Sequence, residues 1–232
     1  MTGTLINTLT IIIGSLLGLR FGKLLTARIR ETIMAGLGLF TVGLAVSLFL
    51  ETNNSLYVLG GLLLGGLLGE VLKLESRLNR IGETLERKTV GSSDQNSTFI
   101  QGFVTSSLLF CIGPIAILGS IQDGLIGDYQ LLVVKAIMDG FASFAFASTL
   151  GVGTIFSAGA VFIYQGFFSL SARQLGQFMS GPMIAEMTAL GGVLLLGLAV
   201  SSLLEIKKIR VGNFLPGLVI TPLLVWLIEL FF

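Results

Sequence analysis

Three ionisable residues stand in stretches that are otherwise almost wholly apolar. Lys135 and Asp139 lie in the run from Gln130 to Leu150, and Glu186 lies in SGPMIAEMTALGG, inside the run from Gly181 to Leu204. A charge at the centre of a bilayer costs about 2.5 to 3.5 kcal/mol on insertion scales, so one that is kept there faces a partner, a cavity or a solute path. Lys135 and Asp139 are four residues apart and share one helix face. At 1.5 Å per residue Asp139 falls about 15 Å below the outer end of its helix, near the midplane of a hydrocarbon core about 30 Å thick. Two chemistries follow from that placement. The lysine can neutralise a carboxylate and hold a helix bundle together, or the carboxylates can take up a cation or a proton with Lys135 as the charge partner of Asp139.

Residues that break helices surround these charges. Gly113-Pro114 interrupts one apolar run, Gly181-Pro182 another, and Gly151 and Gly153 bracket the start of a third. Proline frees the carbonyl of residue i−4, and a freed carbonyl at membrane depth is tolerated where it is buried in protein or lines a water-filled cavity. Such positions commonly bind coupling ions and small solutes. Gln101, Gln122, Gln165, Tyr164, Ser148 and Thr149 are the neutral polar groups that can complete a site, and interhelical hydrogen bonding is the other use of each.

The elements that must position these side chains are transmembrane helices. Of 232 residues, 53% are hydrophobic and 12% charged, with a mean hydropathy of +0.93, whereas a soluble domain carries about 25% charged residues. Spans are expected at Thr4 to Leu19, Thr32 to Leu50, Leu56 to Gly69, Phe99 to Ser120, Gln130 to Leu150, Thr154 to Ser171, Gly181 to Leu204 and Phe214 to Phe232. The fold class is therefore all-α, a polytopic bundle of about eight spans forming a single transmembrane domain over residues 1–232. Seven is the alternative, because the third stretch is short and the run around Gly151-Val152-Gly153 can be divided differently.

The same composition excludes several functions. The chain has no histidine and one cysteine, Cys111, so zinc chemistry, a Ser-His-Asp triad, an intrachain disulfide and a CxxC site are ruled out by residue type. A net charge of +1 argues against nucleic acid as a partner. Neither a phosphate-binding glycine loop nor a nucleophile with its base can be found, so no enzyme activity, metal or cofactor is expected.

Glycine organises the helices. Gly14, Gly18 and Gly22 recur at every fourth residue, as do Gly61, Gly65 and Gly69. Faces of this kind allow close helix crossings, within the chain or between copies in a homo-oligomer. GLAVSLFLE at Gly43 to Glu51 also resembles GLAVSSLLE at Gly197 to Glu205, and QGF occurs at Gln101 and again at Gln165, so internal repeats of the transporter kind are open. Residues 73–98 begin as an amphipathic surface helix and end as a polar linker, GSSDQNST.

The run QGFVTSSLLFCIGPIAILGSIQDGLIGD, then KAIMDGFASFAFASTLGVG, YQGF, GPMIAEMTALGGVLLLG and KIRVGNFLPGL resembles the bacterial integral-membrane family called domain of unknown function 554, the YqgA-like proteins. The resemblance extends over essentially the whole chain. It implies a multi-pass protein of the bacterial inner membrane, a family loosely described as transporters, and its characteristic stretches include Gln101, Gly113, Pro114, Gln122, Asp123, Lys135, Asp139, Gln165 and Glu186. The function expected is passage of a small ion or solute through a midplane site around Asp139, by a transporter or, as the alternatives, an ion channel or a structural membrane protein with no pathway. With eight spans, twelve of the fourteen bases fall on one side, which is then cytoplasmic and holds residues 73–98, leaving both termini extracytoplasmic. A C-terminal alkaline phosphatase fusion should be active and a C-terminal green fluorescent protein fusion dark; the reverse result means seven spans.

Overall fold

The computed structural model describes residues 1–91 and 98–231. Most of the polar linker, residues 92–97, lies outside the described residues. Every regular element among those described is helical: α1 (Thr2–Gly22), α2 (Ala27–Phe49), α3 (Ser55–Leu72), α4 (Leu74–Thr89), α5 (Thr98–Ile112), α6 (Pro114–Ile126), α7 (Gln130–Leu150), α8 (Gly153–Leu170), α9 (Ala172–Phe178), α10 (Gly181–Leu198) and α11 (Gly217–Phe231). A π-turn, Ala199–Leu203, continues α10, and a 3₁₀ turn, Val211–Phe214, precedes α11.

Seven of these stretches are long and apolar enough to cross a membrane, and α5 with α6 makes an eighth if the pair, bent by 61°, counts as one span. Packing shows which way that pair runs. Gly102 on α5 lies against Leu150 at the end of α7, whereas Gly119 on α6 lies against Leu131 and Leu132 at its beginning. The bent pair thus travels the length of α7 as a broken span, with its break at Gly113. Gly181-Pro182 does not interrupt a span; it opens α10, where Ser180 caps the helix by accepting from the Met183 N–H at 3.4 Å. The division near residue 150 falls at Gly151, whose φ of +84° suits glycine and ends α7.

The chain forms two compact units. Unit 1 comprises Met1–Leu37, Asn79–Cys111 and Ile115–Gln177, and unit 2 comprises Gly38–Leu78, Ile112–Pro114 and Phe178–Phe232. In unit 1, α1 lies parallel to α7 and in step with it: Gly14 packs on Gly140 and Ser143, Gly18 on Phe144, and Gly22 on Ser148. In unit 2, α3 runs antiparallel to α11 and its preceding turn, with Gly61 on Thr221, Gly65 on Gly217 and Gly69 on Asn213. A Cβ at any of these six α1 and α3 glycines would lie under 3.0 Å from its neighbour, mostly from backbone that cannot yield. Both stripes are therefore spent inside the chain.

α4 packs Gly82 against Phe103 and Ile100 of unit 1. At its start in unit 2, Glu75 accepts from the Gly212 N–H at 2.7 Å while its own N–H donates to Asn213 Oδ1 at 2.8 Å. Burial of Glu75 raises its carboxyl above the ordinary value, opposed by that bond and by the charge of Arg210.

The seams give a graded test. Gly18→Ala and Gly65→Ala should each destabilise the protein by about 1 to 3 kcal/mol, the cost of overpacking, and the Leu replacements should prevent folding. Gly36→Ala, where a Cβ meets nothing within 4 Å, should leave the detergent melting temperature unchanged. Equal behaviour of Gly18→Ala and Gly36→Ala would dismiss the seam.

Candidate functional site

The close approach of α1 to α7 sets up the main polar contact of unit 1. Asn7, fully buried on α1, donates its Nδ2 to Asp139 Oδ2 at 2.9 Å, and Lys135 Nζ donates to the same oxygen. Lys135 is 6% exposed and Asp139 7%. The ammonium also stands 5.8 Å from the centroid of the Phe110 ring on α5, within cation–π range. One carboxylate oxygen thus gathers a charged and a neutral donor from two helices, and an aromatic face on a third supports the cation.

Unit 1 also buries polar side-chain atoms that bond to nothing else in the chain. Both amide atoms of Gln165 on α8 are in this state, although the residue is fully buried, and so is Asn7 Oδ1. The hydroxyls of Thr4 and Ser15 on α1, Ser106 and Ser107 on α5, and Thr154 and Ser169 on α8 join them. Helical hydroxyls ordinarily satisfy themselves on a carbonyl one turn back. Ser143, Ser148, Thr149 and Ser157 do this here, with donor distances of 2.7 to 3.1 Å. Thr221 is the one residue of unit 2 that shares the unpartnered condition among the described residues. A buried polar group gains about 1 to 3 kcal/mol from a hydrogen-bond partner, so unit 1 is the more polar of the two interiors.

The remaining candidates divide. Gln101 lies half-buried on α5, and Gln122 is exposed on α6, away from the buried set. Tyr164 packs edge-on against Phe168 at 5.0 Å. Glu186 belongs to unit 2, where it accepts from Thr52 Oγ1 at 2.6 Å and from the N–H groups of Asn53 and Asn54, both at 2.8 Å. Those bonds hold the connection that enters α3 and account for this buried carboxylate structurally. Asp123 is buried on α6 and accepts from the Gly3 N–H at the start of α1 at 3.0 Å. Each glycine-seamed helix therefore has a carboxylate from another helix at its beginning. Asn7 was missed by the sequence reading, though a lone asparagine in TLINTLTIII was visible. Among the described residues no group of His, Cys, Asp and Glu could hold a metal ion.

Residues 2–226 match the family described as Protein of unknown function (DUF554). The chain belongs to this family. One similar protein of the family is the uncharacterised membrane protein YdfK of Bacillus subtilis (strain 168), 33% identical over 235 residues that take in 100% of this chain and 98% of the relative. Another is the uncharacterised protein YqgA of Escherichia coli (strain K12), 29% identical over 221 residues, 94% of this chain and 93% of that protein. No solved structure matches the chain.

The contact makes a prediction about stability. Asp139→Asn removes the charge that pairs with a buried Lys135, and breaking a buried pair in this way costs about 3 to 5 kcal/mol. The double change Lys135→Met with Asp139→Leu should recover much of that loss in a detergent unfolding measurement. A double variant less stable than Asp139→Asn alone would show that an unpaired Lys135 is not the source of the loss.

Proposed function

We propose that this family member carries a small ion or solute across the membrane through unit 1, with Asp139 as the exchange site. Lys135 supplies the counter-charge, and Asn7 and Gln165 supply neutral ligands. One observation supports the reading above the others: a buried charged pair on a spanning helix, in a unit that also buries unpartnered polar atoms on three other spans, Gln165 among them. A protein that needed the pair only as a bolt has a use for Lys135, Asp139 and Asn7, but none for a fully buried amide with both its atoms unbonded. The alternation of strong and weak partners at Asp139 also suits exchange. A solute or a proton can replace Asn7 or compete with Lys135 at a carboxylate already held in a low-dielectric setting, where each such swap changes the energy substantially.

The broken α5–α6 span belongs to the same reading. Discontinuous helices at membrane depth occur beside ion and solute sites, because their free backbone groups are tolerated there. The bases of residues 20–30, 73–88 and 207–210 give a cytoplasmic side, both termini extracytoplasmic, in the inner membrane of a bacterium.

Reconstituted protein on a solid-supported membrane tests the proposal. Sodium, potassium, chloride, and acidic, neutral and basic amino acids are applied in turn as concentration jumps. The wild type should give a current with at least one of them, and Gln165→Leu and the double variant Lys135→Met with Asp139→Leu should each reduce it at least tenfold while remaining folded. Saturation with concentration and exchange of labelled solute would mark a transporter, whereas a non-saturating current would mark a channel. Silence towards every solute by protein of full thermal stability would favour a structural role.

A further inference from the structure

We propose that unit 2 binds one anionic phospholipid, with an acyl chain in an apolar groove beside the π-turn and the headgroup phosphate against Lys207 and Lys208. This site is separate from the polar interior of unit 1, and nothing in the transport reading requires it.

The groove has a volume of about 290 Å³ and is walled by Leu62 of α3, by Val193, Leu196 and Gly197 of α10, by Val200 of the π-turn, and by Ile209 and Phe214, among others. That volume is near the lower limit, about 300 Å³, of pockets that hold small ligands. Its lining is almost wholly apolar, which suits a hydrocarbon and offers a polar solute nothing to bond. Leu196 stands 39% exposed, so the groove opens at the side of the unit.

Its geometry is held by named bonds. The π-turn displaces the end of α10 from regular winding, a feature frequent at functional sites. After it, the Leu204 N–H donates to the Ala199 carbonyl at 2.8 Å, the Ile206 N–H to the Val200 carbonyl at 2.9 Å, and Glu205 takes a left-handed φ of +52°. Ser201 then staples the returning strand of chain: its Oγ accepts from the Ile209 N–H at 3.0 Å and donates to the Ile209 carbonyl at 3.2 Å. The staple sets Ile209 into the wall, and Lys207 and Lys208, both exposed, directly precede it in the chain. Arg210 is engaged by Glu70 at 2.8 Å and is not counted.

Charge complementarity selects the occupant. Two exposed ammonium groups next in sequence to the wall of an apolar groove match a phosphate joined to an acyl chain, and bases at a membrane surface are drawn to anionic lipid. A neutral apolar molecule would use the groove but leave the lysines unused, and a free phosphate would do the opposite.

The test is native mass spectrometry of the purified full chain, titrated separately with phosphatidylglycerol, phosphatidylcholine of the same chains, and inorganic phosphate. One phosphatidylglycerol should bind at least tenfold more tightly than phosphatidylcholine, and inorganic phosphate should not bind in the same range. Changing Lys207→Gln and Lys208→Gln together should bring phosphatidylglycerol down to the phosphatidylcholine level. Gly197→Leu, which fills the groove beside Val211, should weaken both lipids; Leu196→Ser, at the exposed wall, provides the same readout if the leucine variant does not fold. Equal affinity for the two lipids, a preference that survives the double lysine change, phosphate binding as tight as lipid binding, or a second copy of the chain occupying the groove in place of lipid would each overturn the proposal.

Discussion

Helices without side chains at their seams are the constraint on which the rest depends. The amide of Asn7 is short, and it reaches Asp139 only because Gly14, Gly18 and Gly22 let α1 lie directly on the α7 backbone. In hydrocarbon the usual driving force for helix association is absent, and van der Waals contact over a close crossing takes its place. The glycines therefore do two things together. They supply the association of α1 with α7, and they bring a polar residue on one helix within bonding distance of a charge on the other.

The same logic explains the placement of the other acids. Asp123 accepts from the backbone at the start of α1, and Glu186 accepts from the backbone that leads into α3. Negative charge near a helix beginning is favoured by the aligned peptide dipoles and by the unbonded N–H groups there. Both carboxylates thereby set the height of a glycine helix against its seam, where a slip would drive backbone against backbone. Asp139 differs from them. Its partners are a lysine on its own helix and an asparagine amide from α1. This difference separates the two carboxylates that bind backbone N–H groups from the one held by side chains.

Much of the architecture was legible because bilayer physics leaves few alternatives. Apolar length placed the spans, the four-residue spacing of glycine identified both seams, and insertion cost singled out Lys135 and Asp139 as a pair. What remained hidden depended on three-dimensional partners. Gly113-Pro114 and Gly181-Pro182 read alike, yet the first divides a crossing while the second only begins a helix, since proline is equally at home at a first turn. Glu186 and Asp139 also read alike, and only their hydrogen bonds tell them apart. The π-turn at Ala199–Leu203 carries no proline to announce it. The similarity between GLAVSLFLE and GLAVSSLLE spans a segment that ends as an ordinary helix in one case and includes that π-turn in the other, so likeness of sequence there does not extend to likeness of winding.

The proposed path requires water and solutes to reach the interior of unit 1, and the buried Gln165 is the residue at which to ask. Cys111 is the chain's single cysteine, so Gln165→Cys in a Cys111→Ser background leaves one thiol, at the fully buried position whose amide has no partner. Membrane-embedded protein is treated with a charged methanethiosulfonate reagent, which does not enter hydrocarbon, and labelling is read by mass. The account predicts labelling of the folded protein, from at least one side of the membrane, in Asp139-intact protein. Labelling only after denaturation would show a dry interior and contradict it.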